Sequence, residues 1–257
     1  MMENEQTLDN STIDDSEGSK IIETFDSKKE RKIVLPGDVL ASGANFLPGD
    51  NTLRKGNNII SLRYGIEEVN DRLVKVIPLS GAYIPRRGNI VIGKVIDMNM
   101  NGWVIDIKSP SSSYLPAREA GRYVDKNELS QYLNFQQMIV AEVFSVSARE
   151  ATLTLRKPGL GPLNEGIIVH ISPSKVPRVI GKEGSMINLI KQETNCNIKV
   201  GQNGLVWIHG EKIENELLAK SVINFISDKS FVSGLTDKVK GFIDEQKSSS
   251  EKSGRGK

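Results

Sequence analysis

The stretch Val176-Pro-Arg-Val-Ile-Gly-Lys-Glu-Gly-Ser-Met-Ile-Asn-Leu-Ile190 carries the strongest local signal in the chain. It reads as two short helices meeting at a four-residue loop, Gly181-Lys182-Glu183-Gly184. Ser174 is placed to cap the first helix, and Pro177 falls in its first turn, where a missing N–H costs little. Met186, Ile187, Leu189 and Ile190 share a face of the second helix. Two glycines permit a sharp turn and let a sugar-phosphate chain approach the backbone without meeting a Cβ. The second helix would turn its N-terminal amides and positive dipole end toward that chain. Lys182 adds a mobile cation, Ile180 supplies an apolar floor for unstacked bases, and Arg178 and Ser185 flank the bend. Glu183 sets a carboxylate in the same loop, which opposes phosphate and predicts modest affinity.

Outward from this stretch the pattern is regular. A strand, GIIVHI, precedes it. Two more strands, NIKV and LVWIHG, follow, joined by Gly201-Gln202-Asn203-Gly204. A last helix spans about 212–226, with Ile213, Leu217, Ala219, Val222 and Phe225 expected inward. The order is β-α-α-β-β-α. Taken alone, two glycines three apart describe an ordinary helix–helix turn. Within this order they form the GXXG loop with which KH domains clamp about four nucleotides of single-stranded RNA.

Upstream, residues 31–84 hold short β-type runs broken by turn residues. Residues 33–35 and 39–40 are expected to pair around Pro36-Gly37-Asp38, and NNIISLRYG and RLVKVIPLSG add further runs. Residues 85–157 hold NIVIGKVIDM, NGWVIDI, QQMIVAEVFSV and REATLTLRK. Asn101-Gly102 signals a hairpin, and Gly93 inside a strand marks a bend or a close backbone approach. Five short strands in this length fit a closed OB-type barrel. The Pro/Gly-rich LRKPGLGP reads as a linker to the last unit, 158–232. The expected fold is therefore multidomain α+β: a small all-β domain, an OB-type barrel and a type I KH domain.

Composition narrows the function. No apolar run nears the ~18 residues of a membrane helix, and the acidic, polar N-terminus does not read as a secretory signal. Cys196 is the only cysteine and His170 and His209 the only histidines, a poor metal set that points to an intracellular, cytoplasmic protein without metal or cofactor. Both histidines lie in apolar strands and read as structural; Cys196, with no basic neighbour, reads as an inert thiol. Net charge is +2, but residues 1–30 carry nine acids against three bases and read as a disordered acidic tail. Residues 233–257 read as a helix end and a basic disordered tail from about 247. The basic body between the tails suits a polyanion. No nucleophile elbow, phosphate-binding lysine loop or aspartate cluster is present, so no catalysis is expected.

The barrel segment resembles an S1 domain through Gly88-Asn-Ile-Val-Ile-Gly-Lys-Val-Ile96, Gly102-Trp-Val-Ile-Asp-Ile107 and Ala151-Thr-Leu-Thr-Leu-Arg156. The unit before it, with Leu35-Pro-Gly-Asp-Val39, resembles the N-terminal domain of the S1/KH cap subunits of the RNA exosome, archaeal ones above all. The likeness runs over about 31–232. It implies three copies on a hexameric ring of RNase PH-like subunits, held by their N-terminal domains. The cap would capture single-stranded RNA and thread it to the ring, which performs 3′→5′ phosphorolysis; no membrane or small-molecule substrate is implied. Gly201-Gln-Asn-Gly204 matches a GXNG element that the resemblance makes structural, at the S1–KH junction. The S1 match departs from the family where Met100 stands near an aromatic position and Tyr114-Leu-Pro116 lacks a histidine. RNA contact in this domain then falls to cations, with Lys94, Arg118, Arg122 and Arg149 as candidates. Strand alternation sets Trp103 with Ile105 and Ile107, toward the core; were it exposed, it would be a base-stacking residue. Two other functions stay open: a free-standing S1/KH regulator, for example of translation, and a nuclease in its own right.

Overall fold

Residues 32–78 alternate short apolar runs with turns, and in a computed structural model they form seven strands. The structure describes residues 32–124, 128–147, 149–229 and 234–254, with side chains to 248. The acidic tail expected at 1–30 lies outside the described residues. The strands are β1 (Ile33–Val34), β2 (Val39–Ser42), β3 (Leu47–Pro48), β4 (Thr52–Lys55), β5 (Asn58–Ser61), β6 (Gly65–Asn70) and β7 (Leu73–Pro78). They build two sheets, ordered β1-β6-β7-β3 and β2-β5-β4. The expected turn is present: Asp38 N donates to Leu35 O at 3.1 Å, and Leu35 N donates to the Asp38 carboxylate at 2.8 Å. Its flanking strands do not pair with each other, contrary to the sequence reading. Gly37 N donates to Ser61 O, which docks the turn on β5 and sends the chain from one sheet to the other.

The barrel is built from β8 (Ile90–Asn99), β9 (Gly102–Asp106), β10 (Ser112–Pro116), β11 (Met138–Val146) and β12 (Glu150–Thr154). β8 pairs with β9, β9 with β10 and β11 with β8, all antiparallel; β10 meets β12 in parallel, and β12 closes back on β11. Asn99 faces Gly102, so Met100 and Asn101 are the two hairpin residues, one position earlier than the Asn-Gly signal placed them. A Cβ on Gly93 would collide with Ile105 and Ile107, so the glycine marks close packing across the barrel. Trp103 is fully buried among Val91, Leu115 and Leu153, and a short helix α1 (Leu129–Tyr132) adds Leu129 to the same core. The expected linker is partly strand: β13 (Gly161–Leu163) extends the sheet beside β11.

The last unit holds β14 (Ile167–His170), α2 (Val176–Ile180), α3 (Ser185–Thr194), β15 (Cys196–Val200), β16 (Leu205–Gly210) and α4 (Ile213–Asp228). Its sheet has the order β14-β16-β15, all antiparallel. Four details differ from expectation. Ser174 does not cap α2; its hydroxyl donates to Leu79 O of the first unit, at 2.9 Å. On α4 the buried stripe is Ala219, Val222, Ile223 and Ile226, while Ile213 and Leu217 are 66% and 51% exposed, because at 3.6 residues per turn they fall on the face away from that stripe. The chain also continues into α5 (Leu235–Gly254), which takes in residues read as a disordered tail. Leu235, Val239 and Ile243 enter the core at helical spacing, and Phe242 stacks on Phe225 at 4.4 Å. His170, read as structural, is exposed. No helix among the described residues is long and apolar enough to cross a membrane.

Candidate nucleic-acid interface

The helix–loop–helix forms as read. Gly181 takes φ 76°, ψ 177°, Glu183 φ 52° and Gly184 φ 80°. Gly181 N closes α2 on Pro177 O at 2.9 Å, and Gly184 N turns back to Gly181 O at 3.3 Å. Arg178, Lys182, Glu183 and Ser185 are exposed, and Ile180 is half-buried. Gly184 stands at the N-cap of α3, and no side chain caps that helix. No side chain therefore covers the N-terminal end of α3, where Ser185 N donates to Lys182 O at a bend whose two glycines present no Cβ. A chain of phosphates can lie there against N–H donors and the positive end of a ten-residue helix.

The barrel presents a second surface. A cleft of about 1350 Å³ is lined by Arg118, Arg122 and Arg156, by Met100, Tyr114 and Tyr123, and by the single acid Glu150. Arg118 and Arg122, both proposed from sequence, meet here. Lys94 and Arg149 do not line it. Lys94 sits farther back on β8, across from Asp106 and Met138, and Arg149 is exposed in the turn before β12. Arg122 lies 4.7 Å over the Tyr132 ring, which orients its guanidinium. Arg156 was missed although it ends the quoted strand motif. It pairs with Glu119 at 3.1 Å and donates to Arg118 O at 2.9 Å, so it braces the wall as well as charging it. Tyr123 was also missed; at 91% exposure it, rather than the buried Trp103, is a free aromatic face beside these cations. An aromatic in a Gly-Arg-Tyr loop was the available signal.

Gly201-Gln202-Asn203-Gly204 joins the two units. Asn203, 4% exposed, donates to Ile92 O at 2.7 Å and Ile107 O at 2.9 Å, and accepts from Ile92 N at 3.3 Å. Gln202 accepts from Ile90 N at 3.0 Å while its own N donates to Ile90 O at 2.8 Å. Beneath these bonds Ile92, Val140, Leu163, Leu205 and Trp207 form a small shared core. His209 stacks on Trp207 at 5.7 Å. Burial pushes the Cys196 thiol above its ordinary pKa, in keeping with an inert side chain. Burial works against the charge of Asp106, but hydrogen bonds from Lys108 outweigh it and hold the carboxyl below its usual range.

Two family profiles match the chain. One, for the KH domain, covers residues 166–225; the other, described as the N-terminal domain of exosome RNA binding protein RRP4, covers residues 31–80. The exosome complex component Rrp4 of Methanothermobacter thermautotrophicus is 42% identical over 217 residues, which cover 84% of this chain and 68% of that protein. That of Methanothermus fervidus is 39% identical over 218 residues, covering 84% and 96%. The chain belongs to the Rrp4 family of exosome components. A crystal structure described as a candidate exosome complex RNA-binding protein superposes with a TM-score of 0.60 at 33% identity, over 65% of this chain and 98% of that one. The Rrp4 N-terminal match ends just after β7, and the KH match opens one residue before β14. The barrel of this Rrp4-family chain fills the interval between them, and the Asn203 amide fastens it to the KH unit.

Proposed function

We propose that this chain is a non-catalytic, cytoplasmic RNA-binding subunit of an exosome cap. Three copies would seat on a hexameric ring of RNase PH-like subunits, capture single-stranded RNA and pass it to the phosphorolytic 3′→5′ site of the ring. RNA is held at the loop of Arg178, Ile180, Gly181, Lys182, Glu183, Gly184 and Ser185, and at the barrel cleft of Arg118, Arg122 and Arg156. Lys94 and Arg149 stand outside that cleft and contribute at most to the long-range field.

The observation that carries the cap reading, against a free-standing regulator, lies in the first domain. Ten of the nineteen exposed large apolar side chains among the described residues fall between Ile33 and Ile84. Leu47 and Leu53 are each more than half exposed. Where such side chains adjoin in one patch they make an interaction surface, and this domain holds the largest share of them. Affinity-tagged chain purified from its source cell should carry RNase PH-like subunits, with a native mass fitting three copies per six. Leu47→Glu with Leu53→Glu should release the ring and leave RNA binding intact. A clean monomer from the wild-type preparation would favour the regulator instead.

A further inference from the structure

A third concave surface lies where all three units meet. It is a cleft of about 540 Å³, within the ~300–1,000 Å³ of sites that seat one small ligand. Its floor is apolar, from Ile77, Ile84, Pro173, Pro177 and Ile180. Arg63 and Arg86 stand in its wall, and no carboxylate lines it. Arg86 pairs at 3.0 Å with Asp50, both more than half exposed, which leaves the guanidinium available to a stronger anion. Arg63 is half-buried and has no ion-pair partner among the described residues. A half-buried, uncompensated guanidinium calls for an anion, and its planar fork suits phosphate. The amides of Asn89 and Gln202 stand on the same wall. The shape is fixed in advance: Ser174 Oγ ties the KH side to Leu79 O, and Tyr83 OH donates to Asn89 Oδ1 at 2.8 Å.

Gly181, the first residue of the GXXG loop, is itself part of this cleft. A strand lying on the loop amides must therefore pass its mouth. We infer that the cleft seats one nucleotide of that RNA strand, its base on the apolar floor and its phosphate between Arg63 and Arg86. The inference rests on the loop being an RNA clamp, and it lengthens the KH footprint into the first domain.

The test compares a tetranucleotide, which the loop alone holds, with a heptanucleotide, both titrated by fluorescence anisotropy against full-length chain. Arg63→Ala should weaken the heptamer about tenfold, leave the tetramer unchanged, and make the heptamer's log–log salt slope shallower by about 0.7. Gly184→Asp should weaken both. If Arg63→Ala alters neither heptamer affinity nor slope while Gly184→Asp weakens both, the cleft assignment falls and the clamp stands. If Gly184→Asp weakens neither, the clamp falls first. Adenosine monophosphate binding the cleft as tightly as the heptamer would make it a free-nucleotide site and overturn the inference. Should Arg63→Ala fail to fold, wild-type chain decides: a heptamer carrying 4-thiouridine should photo-cross-link to residues 79–86, and the absence of that adduct sinks the idea.

Discussion

Gly181 and Gly184 stand three positions apart and differ in what a side chain would meet. At Gly184 the nearest atom to an added Cβ is Asn188 Nδ2 at 3.7 Å, an ordinary van der Waals contact without collision. At Gly181 the Cβ would press to 2.7 Å on the backbone N and Cβ of Met186. Its φ and ψ also fall in a region that only glycine tolerates, where strain runs to roughly 1–3 kcal/mol. The two glycines thus divide the work: the first lets α2 and α3 pack, and the second leaves room for phosphate. Gly184→Asp should keep the fold, since Asp tolerates a left-handed backbone, and should weaken oligonucleotide binding about tenfold by setting a carboxylate at the amides. Gly181→Ala should instead lower the thermal midpoint of the KH unit. A Gly184→Asp chain that melts early, or a Gly181→Ala chain that does not, reverses this assignment. The same scale explains the barrel. Trp103 lies inward with Ile105, so the exposed aromatic beside the Arg118 and Arg122 cations is Tyr123, on the loop after β10.

Among the elements, α5 changes the picture most. Leu235, Val239 and Ile243 cover the side of α4 formed by Ile223 and Ile226, and Lys247 bonds Glu193 of α3 at 2.7 Å. A carboxylate at Val239, which is fully buried, would have to enter that core at a cost of several kcal/mol. Val239→Asp should therefore undock α5 and speed hydrogen exchange at the α4 amides; unchanged protection would mean that α5 is an appendage. The helix escaped the sequence reading because its apolar positions are thinly spaced among lysines and serines, and the Ser/Lys/Gly composition of its last turns dominated. Its i, i+4, i+8 pattern was nonetheless legible. The β-α-α-β-β-α order, the barrel strands and the GXXG bend were readable because each rests on local rules of period, turn and glycine. The pairing of β1 with β6, and the split of the first domain into two sheets, were not readable, because long-range register decides them. The cations sorted likewise. Arg118 and Arg122 meet because they lie in one loop after β10, whereas the strand direction of β8 carries Lys94 away from them.

At the scale of the molecule, one amide sets the geometry between barrel and KH unit. Asn203 fills three backbone hydrogen-bonding positions on the barrel, at Ile92 O, Ile92 N and Ile107 O, and it is almost wholly buried there. Asn203→Ala would leave buried backbone groups unpaired, at about 1–3 kcal/mol each. The apolar contacts of Leu205 and Trp207 would persist, so the two units should each remain folded on a loosened junction. This matters for binding because two weak sites on a rigid frame act at a high effective concentration, and a wider spread of orientations lowers it. Asn203→Ala should thus weaken an RNA long enough to reach from the Gly181 loop to the Arg118 cleft several-fold, and leave a tetranucleotide unaffected. Hydrogen exchange should rise at Ile92 and its strand neighbours and stay slow in the interior of each unit. If the long RNA binds the variant as tightly as the wild type while exchange at Ile92 rises, the two surfaces act independently, and the rigid junction serves assembly rather than the capture of RNA.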